Sequence, residues 1–171
     1  MDERQIDRLL VRISSGDNRA FEEFYEKTKR GVFSFVYSYL KNYESTEDVM
    51  QTVYLKVKLN IDKYRRGSNG RAWLLEIAKN LSLNELKRRK STEYKDGLIT
   101  ASKTPEPSGE VTEIMKRVLS EEEQRIVVLH VLWGYKHKEI AKELGVPTGT
   151  VTSNYKRSIN KMQQALKEEK A

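Results

Sequence analysis

The stretch of sequence that decides the fold is IAKELGVPTGTV, at residues 140–151. Within it, Ala141, Gly145 and Val151 have the spacing of a helix-turn-helix. A small residue in the first helix lets the second helix approach, glycine takes the left-handed turn, and a β-branched residue anchors the second helix to the core. An ordinary helical hairpin can have the same spacing. The residues on the outward face of the second helix therefore have to show whether this is a DNA-binding helix-turn-helix.

That outward face has the chemistry of a DNA contact. Between Thr148, which we expect to cap the helix, and Lys161, a further cation, the sequence has no acidic residue. The interval instead supplies hydroxyls and amides that can read base edges, and cations that can bind phosphates. The residues predicted to contact DNA are Thr148, Thr150, Thr152, Ser153, Asn154, Lys156 and Arg157.

The first half of the chain predicts a helical bundle. Apolar and aromatic residues recur every three or four positions over residues 21–40 and 49–61, and a third stripe consists of Trp73, Leu74, Ile77, Ala78 and Leu81. We expect all three stripes to face a common core. The polar, glycine-containing residues before the third stripe predict a loop.

A second basic surface is predicted beside this loop. The third helix has amide and cationic side chains on the side away from its apolar stripe, and such a strip suits a nucleic-acid backbone with unstacked bases. The basic run that ends the helix could also be a solvated helix terminus. The predicted contacts are Arg65, Arg66, Ser68 and Asn69 in the loop and Lys79, Asn80, Asn84, Lys87 and Arg88 on the helix.

Composition limits the classes of function. The 171 residues include 32 Lys and Arg against 25 Asp and Glu, a net charge of +7 that favours an anionic partner. The chain has no cysteine, which excludes disulfides and thiolate zinc sites and suits a reducing cytosol. The charged N-terminal segment and the short apolar run at residues 126–133 predict neither a signal peptide nor a membrane span. We therefore expect a cytoplasmic protein without membrane insertion.

The sequence offers no catalytic constellation. His130 lies on an apolar face and is expected to be a core histidine, while His137 stands alone at a lysine-rich helix start. Neither a metal cluster nor a Ser/His/Asp set can be assembled from them. The glycines of the predicted loop lack the strand and the Lys-Ser/Thr of a phosphate-binding loop. We expect no enzyme, no metal and no cofactor.

The chain is predicted to have two domains. Helical periodicity is lost over residues 91–112, and residues 103–109 have the composition of an extended tether. A capping box at Ser120 and Glu123 then opens a new helix. The predicted fold class is therefore all-α, with two small helical domains joined by a flexible linker. The predicted boundaries are residues 1–92, linker residues 93–112, and residues 113–171.

Two blocks of sequence together point to a family. The first comprises AFEEFY at residues 20–25, STEDVMQTVY at 45–54 and RAWLLEIAKNL at 71–81. The second comprises LSEEEQR at 119–125 and LGVPTGTVTS at 144–153. In this order the blocks resemble region 2 and region 4 of the extracytoplasmic-function, or group 4, sigma factors of bacterial RNA polymerase. The resemblance covers nearly the whole chain outside the tether.

The resemblance implies an alternative sigma factor that binds core RNA polymerase and directs promoter-specific transcription initiation. It implies that Asp48, Val49, Gln51 and Tyr54 dock on the clamp coiled coil of the β′ subunit, and that the β flap is a second polymerase contact. The predicted loop and basic strip would take the minus-ten element with a flipped base. The helix after Gly145 would read the minus-thirty-five element, and an anti-sigma factor is a further implied partner.

The sequence departs from the usual pattern of this family at several positions. Thr52 replaces a common acidic residue, and Asn84 replaces a common Asp. In the second predicted DNA helix, Thr152 and Asn154 stand where basic residues are frequent, which predicts a shallower salt dependence of DNA binding. We expect Asn154 to pair with an adenine, because asparagine can bind that base bidentately.

Two other interpretations stay open at this point. A stand-alone helix-turn-helix regulator would explain the second domain and the charge, but it gives the helix over residues 45–54 no role and usually needs a dimer interface. An adaptor that binds only protein explains neither basic surface. Co-purification with core RNA polymerase would separate these interpretations.

Overall fold

The computed structural model describes residues 3–96 and 110–169, and the regular elements in these ranges are all helical. The chain divides into two compact units, Met1–Thr104 and Pro105–Ala171. The predicted all-α fold class with two helical units is therefore confirmed. Helices from both units extend into the predicted linker at residues 93–112, and the part between them, residues 97–109, lies outside the described residues.

Over residues 3–96, the first unit has four helices and a short 3-10 turn. Their bounds are α1 Glu3–Ser14, α2 Asn18–Leu40, α3 Tyr43–Leu59, the turn Ile61–Lys63, and α4 Gly70–Asp96. Side chains cap two of the helix starts. Asp17 accepts a hydrogen bond from the amide of Ala20 at 3.1 Å, and Asn42 accepts one from the amide of Ser45 at 2.9 Å.

The core of the first unit forms where α1, α3 and α4 pack around α2. Aromatic and aliphatic side chains of α2 fill its centre, and Phe24, Val32 and Val36 are fully buried. The face of α4 that enters this core contains Leu74 and Ala78. The fold thus presents the outer faces of α3 and α4, and the loop between them, to solvent.

The predicted burial of the third stripe is confirmed only in part. Leu74 and Ala78 have no exposed surface, whereas Trp73, Ile77 and Leu81 are partly exposed. The physical reason is that α4 has apolar residues on two adjacent sides. Periodicity alone does not tell which of them the neighbouring helices cover.

The described part of the second unit, residues 110–169, has four further helices. Their bounds are α5 Glu110–Val118, α6 Glu121–Val127, a π-helical segment Val128–Leu132 that continues α6, α7 His137–Leu144, and α8 Thr148–Glu169. The capping box at the start of α6 is confirmed. The Ser120 amide donates to Glu123 at 2.9 Å, and the Glu123 amide donates to the Ser120 hydroxyl at 3.3 Å.

The helix-turn-helix predicted from residues 140–151 is present as α7 and α8. Gly145 ends α7 in the left-handed conformation at φ +69°, and its amide donates to the carbonyl of Ala141. Val151 is fully buried, as its anchoring role requires. Thr148 is the first residue of α8 and not its cap, because the carbonyl of Pro147 accepts the first amide bonds of the helix.

In the described parts of the chain, no helix is both long enough and apolar enough to cross a membrane.

Gly70 gives a test of the packing in the first unit. A Cβ atom at this position would lie 2.9 Å from Leu10 Cδ1, 2.9 Å from the Tyr64 hydroxyl oxygen and 3.3 Å from Ile6 Cγ2. We expect Gly70→Ala to destabilise the protein by about 1–3 kcal/mol, because these buried neighbours must move. Chemical denaturation followed by circular dichroism measures the change.

Gly149→Ala is the matched control, since no atom lies within 4 Å of the Cβ position at Gly149. At this open helical position we expect the stability to rise by up to about 1 kcal/mol. Equal stabilities for the two variants would contradict the close approach of α1 to α4.

Candidate functional site

A shallow groove lies on the first unit where the end of α3, the 3-10 turn and α4 meet. Its volume is about 310 Å³. We call this opening the Trp73 groove. It is lined by Lys56, Asn60, Lys63, Trp73, Ile77, Asn80 and Leu81. An aromatic face, side-chain amides and two lysines therefore surround one opening. This is the combination that binds an unstacked base and its flanking phosphates.

Asn80 is the one member of the Trp73 groove that was predicted as a DNA contact; Trp73, Ile77 and Leu81 were expected in the core, and three further members were not singled out. Lys56, Asn60 and Lys63 come from the helix and turn before the loop, and Lys63 Nζ donates to Asn60 Oδ1 at 3.0 Å. Their spacing of four and three residues is a signal in the sequence, because it places them on one side of a helix. The correction to the burial of Trp73 explains why they were missed, since a buried Trp73 would have left no groove.

The loop before α4 presents two arginines to solvent. Arg65 and Arg66 are exposed, as are Ser68 and Asn69. The last two also make local hydrogen bonds: the Ser68 hydroxyl donates to the Arg65 carbonyl at 2.6 Å, and Asn69 Oδ1 accepts from the Ala72 amide at 2.9 Å. The predicted DNA contacts at Ser68 and Asn69 are therefore also the residues that shape the loop and cap α4.

The strip predicted on α4 is only partly one surface. Asn80, Asn84, Lys87 and Arg88 are exposed and follow each other at three- and four-residue spacing. Lys79 is half-buried and lies on the neighbouring side of the helix.

Arg88 also has a partner within α4. Its guanidinium lies 2.8 Å from the carboxylate of Glu85, and this contact lowers the pKa of Glu85 despite partial burial. An exposed ion pair of this kind contributes little to stability. Arg88 can therefore exchange this carboxylate for a phosphate at small cost.

The residues predicted to dock on polymerase divide into two groups on α3. Asp48 and Gln51 are exposed, but Val49 and Tyr54 are only 7% and 5% exposed. The prediction of a surface role is wrong for Val49 and Tyr54, because both side chains belong to the core of the unit.

Tyr54 is held by polar and aromatic contacts inside the first unit. Its hydroxyl lies 2.7 Å from the hydroxyl of Thr28, and its ring meets those of Phe21, Phe24 and Tyr25. Burial raises the pKa of Tyr54 above its usual range. Tyr54 thus joins α3 to α2 and has no surface to offer a partner.

Two leucines take the place of these buried residues on the outer face of α3. Leu55 and Leu59 are 56% and 65% exposed. Together with Asp48 and Gln51 they recur at three- and four-residue spacing, so they form one exposed stripe, which we call the α3 face. The signal in the sequence was two leucines out of phase with the buried residues of α3.

The outward face of α8 is narrower than predicted. Thr148, Thr150, Ser153, Lys156 and Arg157 are exposed. Thr152 is half-buried, and its hydroxyl lies 3.1 Å from the carbonyl of Thr148 and 3.0 Å from Nδ1 of His137. The exposed residues, and not Thr152, are the groups that a DNA major groove would meet.

The pairing of Asn154 with a base stays a prediction, and the structure gives its side-chain amide another partner. Asn154 lies on the flank of α8 that faces α6, and its amide donates to the carboxylate of Glu122 at 3.1 Å. Lys161 is similarly engaged, because its ammonium lies 2.9 and 2.8 Å from the two carboxylate oxygens of Glu123. Burial opposes the charge of Glu123, but Lys161 and the Ser120 amide outweigh burial and lower the pKa of Glu123.

His137 does not stand alone, contrary to prediction. Its ring lies 4.8 Å from that of His130 and 5.2 Å from that of Tyr155. His130 is satisfied by the carbonyl of Tyr135, which lies 2.8 Å from its Nδ1, whereas the buried Nε2 of His137 has no hydrogen-bond partner. Across the described ranges, no three His, Asp or Glu side chains are grouped as ligands for a metal ion.

This histidine cluster predicts a pH dependence of the second unit. Burial, and then the charges of His130 and Lys156, lower the pKa of His137 below its ordinary value of 6.5. The unfolded chain therefore binds more protons than the folded chain as the pH falls through about 6.5, and the free energy of unfolding decreases on acidification.

We expect His137→Gln to reduce this loss of stability between about pH 7 and pH 5, because glutamine does not titrate. Denaturant titrations at a series of pH values measure the slope for both proteins. The same slope in wild type and variant would show that His137 does not titrate as its surroundings require.

Two family models match this chain. Residues 24–92 match Sigma-70 region 2, and residues 115–162 match Sigma-70, region 4. A similar protein is the ECF RNA polymerase sigma factor SigW of Bacillus subtilis, with 22% identity over 185 residues that cover 97% of this chain and 99% of that protein.

Two solved structures have a similar fold. One is the sigma factor RpoE in complex with the anti-sigma factor NepR from Bartonella quintana, with a TM-score of 0.63 and 22% identity over 85% of this chain and 98% of that one. The other is CnrH in complex with the cytosolic domain of CnrY, with a TM-score of 0.61 and 19% identity over 96% of this chain and 98% of that one.

Proposed function

Because this chain belongs to the extracytoplasmic-function sigma-70 family, with region 2 and region 4 in order, we propose that it is an alternative sigma factor. It binds core RNA polymerase in the cytoplasm and directs transcription initiation at promoters of its own class. In this proposal the chain recognises and holds DNA, and the polymerase carries out the chemistry.

The observation that most strongly supports this proposal is the α3 face. In a stand-alone regulator, Leu55 and Leu59, which are both more than half exposed, would stay in contact with water. An exposed apolar stripe bordered by Asp48 and Gln51 is typical of a surface that binds a partner helix. We assign this face to the clamp coiled coil of the polymerase β′ subunit. The unit that bears it also has DNA-binding groups, which an adaptor for protein alone would not use.

The Trp73 groove is proposed to take a flipped base of the minus-ten element. Its opening of about 310 Å³ combines the face of Trp73 with the amides of Asn60 and Asn80. These groups can stack on a base and hydrogen-bond its edge, while Lys56 and Lys63 neutralise the adjacent phosphates. The exposed loop arginines extend the same cationic border.

The exposed face of α8 is proposed to enter the major groove of the minus-thirty-five element. Thr150 and Ser153 lie in the first two turns and can contact base edges. Lys156 and Arg157 follow them and can bind the phosphates. Asn154 would have to give up its bond to Glu122 to join this set.

Two further protein partners are part of the proposal. The solved structures similar to this chain include a sigma factor bound by an anti-sigma factor, and we propose a partner of that class here. The β flap of polymerase is proposed as a contact of the second unit, where Val131 and Leu132 are 56% and 37% exposed.

The α3 face can be tested by substitution. We expect Leu55→Ser to weaken binding to core polymerase by roughly fivefold to thirtyfold, because a buried apolar contact at an interface is lost. Asp48→Lys should weaken binding as well. A fluorescence-anisotropy titration of labelled protein with core polymerase measures both affinities.

Glu22→Lys is the control for charge reversal, since Glu22 is exposed on α2 and lies outside the α3 face. It should bind polymerase like wild type. If Leu55→Ser and Asp48→Lys also bind like wild type, α3 is not the polymerase contact.

The roles along α8 can be separated by salt dependence. We expect Arg157→Ala to weaken holoenzyme binding to all minus-thirty-five sequences about equally and to lower the salt slope by about one unit. Asn154→Ala should leave the base preference unchanged, because its amide contacts Glu122. Binding of duplexes varied by one base pair at a time, over a range of salt concentrations, measures both effects.

Lys167→Ala provides the control for charge, because Lys167 is exposed near the far end of α8. Its salt slope should match wild type. If Asn154→Ala changes the base preference, Asn154 is one of the residues that contact the bases.

A further inference from the structure

The first helix contacts the loop that borders the Trp73 groove. Asp7, on α1, is 60 residues away from Gly67 in the sequence, yet its Oδ1 accepts a hydrogen bond from the Gly67 amide at 3.1 Å. The hydroxyl of Tyr64 donates to the same carboxylate oxygen. Helix α1 precedes the region 2 match, which starts at residue 24.

One carboxylate oxygen therefore holds both the start and the turn of the loop. Gly67 lies at the turn with φ +75°, and no atom lies within 4 Å of its Cβ position. The Tyr64 hydroxyl also lies 2.8 Å from the carbonyl of Ser68, which closes the loop on itself. Hydrogen bonds within the loop give the turn its shape, and the bonds to Asp7 tie that turn to α1.

Asp7 lies on a helix whose position is set by packing against α4. Ile6 and Leu10 flank it on α1 and are at most 1% exposed. Both meet the start of α4 at Gly70, where a Cβ would lie 2.9 Å from Leu10 Cδ1 and 3.3 Å from Ile6 Cγ2. The carboxylate of Asp7 consequently has a set position relative to the first turn of α4.

The outer side of this contact is open. On this side, a cleft of about 790 Å³ opens between α1 and the loop, next to the bonds of Asp7. It is lined by Glu3, Arg4, Asp7, Arg8, Gly67 and Ser68. Without the bonds to Asp7, the turn has room to move into this space. Arg65 and Arg66 lie on the same loop and would move with it.

Tyr64 extends the effect of Asp7 into the groove. The ring of Tyr64 lies 5.2 Å from that of Trp73, and burial together with the bond to Asp7 raises the pKa of Tyr64 above its usual range. Asp7 thus orients a side chain that contacts the groove wall as well as the loop backbone. Groups held in place before binding lose less conformational entropy when a ligand arrives.

We propose that Asp7 is a positioning residue for strand capture, which sets the 64–70 loop and Tyr64 so that the Trp73 groove and the loop arginines are ready for the flipped base. This inference rests on the proposed function of the groove. It assigns to α1 a part in promoter opening, although Asp7 itself touches no DNA.

The test uses holoenzyme reconstituted from the full chain and core polymerase, with a promoter that wild-type holoenzyme selects from a randomised library. The rate of open-complex formation and the base preference at each minus-ten position are measured. We expect Asp7→Ala to slow opening roughly fivefold and to relax the base preference, because the carboxylate oxygen that accepts hydrogen bonds from Gly67 and Tyr64 is lost. Asp7→Asn should restore most of both, because its Oδ1 can still accept from Gly67 and Tyr64.

Asp62→Ala is the matched control, since Asp62 is an exposed carboxylate of the 3-10 turn next to the same loop. It should open the promoter like wild type. Binding to core polymerase and to a minus-thirty-five duplex should be unchanged in Asp7→Ala, whereas a general loss of folding would reduce both.

If Asp7→Ala does not fold, Tyr64→Phe decides, because it keeps the ring and removes the hydroxyl bonded to Asp7. The same slower opening and relaxed base preference would support the proposal. The proposal is overturned if a folded Asp7→Ala variant has the opening rate and base preference of wild type. If Asp7→Ala does not fold, the same result in Tyr64→Phe overturns it. Failure of the wild-type protein to bind polymerase or select a promoter would instead overturn the proposed function.

Discussion

The first unit depends on the close approach of α1 to Gly70 at the start of α4. With no Cβ at this position, Leu10, Ile6 and the Tyr64 hydroxyl all converge on the backbone. That convergence fixes the direction in which α4 leaves the loop and therefore the side of α4 that faces α2. The buried face of α4 follows from it, and the neighbouring side, with Trp73 and Asn80, is left to line a groove. One steric constraint thus contributes to both the core and the proposed DNA-facing surface.

In the second unit, acidic residues of α6 organise the basic helix α8. Glu122 holds Asn154, and Glu123 holds Lys161 while it also completes the cap of its own helix. These contacts join the flank of α8 to the unit by charge-assisted hydrogen bonds, which are stronger than neutral ones. Glu122 and Glu123 bond to the flank of α8, whereas the outward face that bears Lys156 and Arg157 contains no acidic residue. Segregation of charge across one helix allows a domain with many acidic residues to bind DNA.

The helix-turn-helix and the capping box of α6 could be predicted because each is a local pattern. Gly145 needs only its own backbone conformation, and Ser120 and Glu123 bond to each other. The burial of Tyr54 and the exposure of Trp73 could not be predicted, since each depends on which neighbouring helix covers it. Asn154 lies 32 residues from the carboxylate that holds it. Residue type therefore identified candidate site residues, but long-range packing decided which of them face solvent.

The two proposed DNA surfaces differ in how their reading groups are supported. On α8, the exposed residues belong to a helix whose buried side includes Val151, Ser158 and Met162, so their positions are set by core packing. On the first unit, Arg65 and Arg66 lie on a loop that is held by its own hydrogen bonds and by the bonds to the Asp7 carboxylate, with few packing contacts. A regular duplex presents its base edges at fixed spacing and suits a rigid reader. A flipped base must be reached during opening, and a loop with few packing contacts can adjust to it at lower energetic cost than a helix embedded in a core.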